Sequence, residues 1–166
     1  MIRQILYRAL KMWVGVFFNL LNVLLAGNLP PLGCVSIIVE EQGRYLVIQR
    51  PEGYFVFPGG FMRWRERPES TALRECKEET GLLIQITGLI GCSSNIGDDI
   101  RSMSTLSVVF HATVTGGTLR SSIEGKPLWM DEVELQDKLF KKQGGILQNY
   151  LTRRNQQQND SAQPLP

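Results

Sequence analysis

GFMRWRERPESTALRECKEETGL, residues 60–82, is the stretch on which the reading of this chain turns. On a helix, Glu75, Glu78 and Glu79 stand side by side or one turn apart, so their carboxylates converge on one strip of surface. Like charges packed that closely repel unless something positive sits among them. A divalent cation meets that need, and hard carboxylate oxygens suit Mg²⁺ or Mn²⁺ better than Zn²⁺. Pro68 in a first turn, Glu69 at the positive end and Gly81 as the closing residue predict a helix over Pro68 to Thr80. At about 100° per residue, Ala72, Leu73, Cys76 and Thr80 share one arc and the three glutamates another. Such a helix docks through one side and holds metal on the other. Phe57-Pro58-Gly59-Gly60 comes just before, a breaker cluster that bends the chain and lets the Gly59 and Gly60 backbone approach a ligand closely.

RECKEET alone reads as a solvated, charged helix. Together with Gly60, Glu66, Arg74, Gly81 and Leu82 the stretch resembles the Nudix box: Gly, five residues, Glu, seven residues, Arg-Glu-apolar-x-Glu-Glu-x-Gly-apolar. Cys76 stands where an aliphatic residue is commoner, a departure that touches nothing catalytic. The resemblance implies an α/β class, a Nudix-type α/β/α sandwich with a mixed β-sheet over residues 33–151, outside the N-terminal helix. It implies that Glu75, Glu78 and Glu79, helped by the Gly60 carbonyl, hold Mg²⁺, with Mn²⁺ as a substitute. It further implies that Arg74 orients a glutamate and that Glu66 is an auxiliary ligand or structural partner. Glu124, in the loop before Trp129 and the last helix, looks like the added metal ligand or base. The base is one of the box glutamates or Glu124.

Composition narrows the remaining field. The 166 residues suffice for one domain with an extension. A net charge of +2 gives no electrostatic case for a nucleic acid polymer as partner. Cys34, Cys76 and Cys92 lack CxxC spacing. This argues against a disulfide framework or zinc site, fits a reducing, cytoplasmic setting, and casts the cysteines as small core residues.

Residues 1–28 are much more apolar than the rest. Gln4, Arg8, Lys11, Gly15, Asn19, Asn22 and Ala26 recur at steps of three and four, a narrow polar stripe on an otherwise apolar helix over residues 2–26. Leu24 and Leu25 spoil a signal-peptide cleavage pattern, and Asn19 and Asn22 interrupt a spanning run. The stripe fits an amphipathic helix lying on the inner face of a membrane, packed on its own domain, or pairing with a second copy as a homodimer. Residues 29–32 read as a stiff Pro-containing linker that sets the helix apart. Residues 33–40 and 44–49 read as a hairpin. The following loop carries Tyr54 and Phe55, aromatic rings placed either to stack on a base or to pack on the box helix.

Further strands are expected over residues 83–92 and 103–114, with a short edge strand over 118–122. The loop at 93–99 carries Asp98 and Asp99, which fit turn chemistry or an outer metal contact. His111 has no catalytic role in this reading. A closing helix over 133–151, interrupted at Gly144-Gly145, precedes a disordered tail, 152–166. The expected activity is hydrolysis of a pyrophosphate bond in a small nucleotide-type substrate: a nucleoside triphosphate, a nucleotide-sugar or an ADP-ribose type. Two other classes stay open, a nucleotide-sensing binding module without turnover and a membrane-tethered hydrolase of a lipid-linked diphosphate.

Overall fold

Five consecutive residues of strand β1 (Leu32–Glu41), Val35 to Val39, are buried, so the strand is covered on both faces. Period-2 alternation then assigns its side chains to two cores. Val35, Ile37 and Val39 point to one, together with Leu46, Ala72, Cys76 and Phe110. Ile38 points to the other, with Tyr45, Val47, Leu135, Ile146 and Tyr150. The computed structural model describes residues 2–162. In it helix α2 (Pro68–Thr80) covers the first face, while α3 (Glu132–Lys138) and α4 (Gly144–Ala162) cover the second. The result is an α/β/α sandwich around a mixed sheet, with the helix α1 (Ile2–Leu24) added in front.

β1 is the hub of the sheet. It pairs antiparallel with β2 (Arg44–Gln49) and with β4 (Gly59–Phe61), and parallel with β6 (Thr105–Gly117) from Leu32↔Thr105 to Val39↔Ala112. β2 adds β3 (Phe55–Val56) and β7 (Lys126–Asp131), both antiparallel, and β5 (Leu82–Asn95) forms a long hairpin with β6. Gln42 and Gly43 both adopt positive φ (53° and 73°), the geometry of a two-residue turn whose twist matches the β1–β2 ribbon. Register shifts on either side of Gly88 keep β5 paired past this glycine.

Several expectations need correcting. Leu73 does not face the core: it is 44% exposed, and Thr71, Glu75 and Glu79 are buried instead. Of the cysteines only Cys76 is buried. β5 and β6 run past their expected ends to Asn95 and Gly117, because the hairpin partner extends both ladders. Residues 118–122 form no strand; they are held by an isolated bridge from Ser122 to Gly125 and by Arg120 N–H donating to the Thr80 carbonyl (2.9 Å). The closing helix breaks at Leu139 and Phe140 rather than at Gly144-Gly145, since Phe140 N–H donates to the Phe55 carbonyl (2.8 Å) and Leu139 bridges to Phe55. Residues 152–162, expected to be disordered, continue α4. Arg153 donates to the Leu89 carbonyl (3.0 Å), and Arg154 pairs with Glu40 (3.2 Å) and Glu132 (2.9 Å). Residues 163–166 lie outside the described residues.

α1 ends in a turn through Ala26 and Gly27 (φ 52° and 81°), and the chain folds back instead of being set apart. From Gly15 to Asn22 its polar stripe is the side that meets the domain. Asn19 Nδ2 donates to the carbonyls of Ile100 (2.8 Å) and Ser102 (2.9 Å), and Asn22 Oδ1 accepts from Leu29 N–H (3.0 Å). Gly15 lies against the Arg101 carbonyl so closely that a Cβ would stand 2.2 Å from it. The side chains of Gln4, Arg8 and Lys11 are outside those described. Asp99 shapes the receiving loop as a turn residue, its Oδ1 accepting from Arg101 N–H and Ser102 Oγ–H (2.8 Å each). Among the described residues no helix is long and apolar enough to cross a membrane.

Candidate active site

α2 is held end and side. Gly81 closes it with φ 79°, and Ala72 and Cys76 anchor it to the sheet. This seats the glutamate strip against the bend at Gly59 and Gly60, which β4 pins to β1 through Ser36↔Gly59 and Val35↔Gly60. Both glycines are required by space. A Cβ on Gly60 would fall 2.4 Å from the Glu75 carboxyl carbon, and one on Gly59 would fall 2.2 Å from the Val35 carbonyl oxygen. Here φ is 155° at Gly59, in the region L side chains rarely adopt.

Three arginines lie among the acids. Arg74 makes a two-point contact with Glu66, Nε and Nη2 each donating over 2.8 Å. Its Nη1 donates to Glu75 (2.6 Å) and Glu78 (3.2 Å), and its Nη2 also reaches the Phe61 carbonyl. Arg63 pairs with Glu78 (3.2 Å) and gives its backbone N–H to Glu66. Arg50, at the end of β2, bridges Glu79 (2.9 Å) and Glu124 (2.7 Å). Glu79 also accepts the Gly59 N–H (2.8 Å). Glu124 is delivered by a loop that presses on β2, where Gly125 leaves no room for a Cβ beside the Gln49 carbonyl and Arg50 donates to the Glu124 carbonyl.

These contacts separate the acids electrostatically. Hydrogen bonds from Arg74, then from the Arg63 N–H, hold Glu66 well down, at about 2. Burial acts the other way on Glu79, only 2% exposed, and raises its carboxyl to about 7 against the pull of Arg50 and the Gly59 N–H. Burial also raises Glu75, opposed by Arg74.

A cavity of about 620 Å³ opens beside them, a size that takes a nucleotide-sized molecule. Glu75, Glu78, Glu124, Gly59, Gly60 and Tyr54 line it, as do Arg50, Arg63 and Arg74. Glu79 sits behind Gly59, off the lining. Glu66 is also off the lining, engaged by Arg74 as a structural partner. Phe55 packs on the core, whereas Tyr54 faces the cavity with its ring 4.9 Å from that of Phe140. His111 is remote, stacked on Tyr150 in the opposite core. Sequence reasoning missed Arg50 and Phe140. A single arginine after a strand and a phenylalanine between helices carry no spacing signal.

Among the described residues no three acidic, His or Cys side chains are gathered tightly enough to enclose an ion. Arg50 and Arg74 stand between them. The donor set still suits a hard dication: carboxylates converge on one cavity, and the absent Cβ of Gly60 leaves the Glu75 carboxylate against bare backbone.

A profile of the family described as NUDIX domain matches residues 30–150. Over 131 residues the chain is 32% identical to a protein of Methanocaldococcus jannaschii named ADP-ribose pyrophosphatase, covering 76% of this chain and 77% of that one. A MutT-like protein of Streptomyces ambofaciens is 33% identical over 115 residues, 66% of this chain and 71% of its own. Among solved structures, the MutT protein from Methanosarcina mazei Go1 superposes with a TM-score of 0.65 over 77% of this chain and 97% of its own. At 20% identity that likeness is one of fold.

Proposed function

This chain belongs to the Nudix family and is a hydrolase acting on phosphorus anhydrides. On that premise we propose that it hydrolyses, with Mg²⁺ or Mn²⁺, the pyrophosphate bond of a nucleoside diphosphate linked to a further group. The observation that carries the reading is the convergence of Glu75, Glu78 and Glu124 with the Gly59-Gly60 backbone on one cavity of about 620 Å³.

The anionic oxygens of a pyrophosphate repel an incoming water, so attack is slow until their charge is neutralised and a carboxylate takes the proton. Glu75 and Glu78, with the Gly60 carbonyl and with Glu79 behind, would hold the dication. When bound, it neutralises the pyrophosphate oxygens and withdraws charge from phosphorus. Arg74 positions Glu75 and Glu78 through its 2.6 and 3.2 Å contacts, with Glu66 fixing the guanidinium from the far side. Arg50 positions Glu124, which accepts the proton of the attacking water. The water oxygen bonds to phosphorus, the bridging P–O bond breaks, and the products are a nucleoside monophosphate and the phosphorylated remainder. Tyr54, backed by Phe140, offers the base a flat ring on the cavity wall.

The name borne by the Methanocaldococcus relative supports a substrate of the ADP-ribose type, alongside nucleotide-sugars and nucleoside triphosphates. A hydrolysis screen across these three classes with Mg²⁺ and with Mn²⁺ tests the reading. Turnover is expected on at least one class and only with dication present. A folded chain that binds these compounds but cleaves none would be a sensing module instead.

A further inference from the structure

α1 is assembled inside out. The part of its polar stripe from Gly15 to Asn22 is spent on the domain, and its apolar side is left in solvent. Ile5, Leu6, Leu10, Trp13, Phe17 and Leu24 are all exposed, Phe17 by 69% and Leu24 by 81%. Ile96 and Ile100, in the loop that receives the helix, are exposed too and extend the patch onto the domain. A patch of this extent is a contact surface rather than the scatter of single apolar residues any protein shows.

Two features of α1 choose the occupant. The exposed apolar positions spread over an arc of about 200° at 100° per residue, far wider than the seam one partner helix covers. A deformable lipid boundary covers such an arc; a second copy meeting along a helix would leave much of it bare. The charge points the same way. Residues 2–26 carry Arg3, Arg8 and Lys11 with no Asp or Glu. Arg8 and Lys11 belong to the stripe but precede Gly15, where contact with the domain begins. An anionic surface attracts the segment's net charge within a screening length of about 8–10 Å, a distance comparable to the width of a helix. We infer that the outer face of α1 docks on an anionic phospholipid surface, the helix lying along the headgroup region while Gly15, Asn19 and Asn22 stay on the domain. Trp13 and Phe17 supply the rings that settle at that boundary. Thr105 lines both the groove beneath α1 and the catalytic cavity, so the docked face adjoins the site.

The test floats the full-length chain with vesicles of phosphatidylcholine alone and of phosphatidylcholine mixed with phosphatidylglycerol. Uptake by the mixed vesicles is expected, weakened by added salt and lowered about tenfold by Trp13→Glu with Phe17→Glu. Both positions face solvent, so that variant should keep the parent's circular dichroism and its hydrolysis in free solution, which separates this test from that of the catalytic reading. The inference is overturned if the chain stays off the mixed vesicles, if neutral vesicles take it up equally well, or if the double variant floats like the parent. A dimer in solution that the same substitutions split, with no vesicle uptake, also overturns it and gives the face to a second copy.

Discussion

α1 and α2 are both two-sided helices, and they are used in opposite senses. α2 turns Ala72 and Cys76 into the core and its acids toward a cavity where arginines meet them. α1 turns its polar stripe inward, onto backbone carbonyls of the 99–102 loop, and its apolar arc outward. What a helix buries is decided by the surface that receives it. The sheet face offers α2 Val35, Ile37 and Leu46, whereas the loop offers α1 the carbonyls of Ile100 and Ser102, which need donors. An amphipathic pattern therefore predicts two faces and leaves open which one points in.

The largest effect that would break this contrast lies in the α2 strip. Glu78→Gln with Glu79→Gln is expected to cut turnover by about a thousandfold. Far-UV circular dichroism should stay unchanged, and retained turnover would reduce the strip to a solvated face. Next comes Gly60→Ala, whose methyl would displace the Glu75 carboxylate. A misplacement of this kind is expected to lower kcat about a hundredfold.

The third prediction uses pH. A protonated carboxyl cannot grip a dication, so with Glu79 raised to about 7 the affinity for Mg²⁺, read by calorimetry, should weaken up to about tenfold per unit below that pH and level off above it. Glu79→Gln should flatten the profile. Without metal the sign for stability is the reverse. The folded chain holds that proton more tightly than the unfolded one, so Glu79 contributes stability at acid pH that is lost as pH rises from 4.5 to about 7. Glu66, lowered to about 2, contributes above its ordinary value and loses that contribution only as pH falls toward 2. The smallest effect sits on α1: Asn19→Ala, leaving two carbonyls without their donor, should loosen the docked helix by about 1 kcal/mol. Hydrogen exchange over residues 12–24 would report it, and hydrolysis in free solution should not change.

The box helix was legible to its ends because Pro68 and Gly81 punctuate it chemically, and the 33–49 hairpin because two apolar, β-branched runs flank a Gln-Gly pair. β3 and β4 were not legible: two or three residues are too short to show a period, and β4 also pairs with β1 about 25 residues earlier, Val35↔Gly60. The parallel β1–β6 ladder likewise leaves no local trace. In the site, the acids declared themselves by spacing. Their counter-charges did not: Arg50 lies 29 residues before Glu79 and 74 before Glu124, and only the fold brings the three together. The length of α4 was missed for a related reason, because Arg153 and Arg154 reach strand β5 and the β1 end through contacts no window of sequence contains.

The guanidinium groups interleaved with the glutamates also bear on how the molecule endures scarcity. A nest of bare carboxylates would push itself open whenever dications ran short, and the catalytic helix would be the first element to work loose. With Arg50, Arg63 and Arg74 already neutralising their neighbours, a chelator should silence catalysis yet shift the melting midpoint only slightly, leaving a dormant form that revives as soon as magnesium returns.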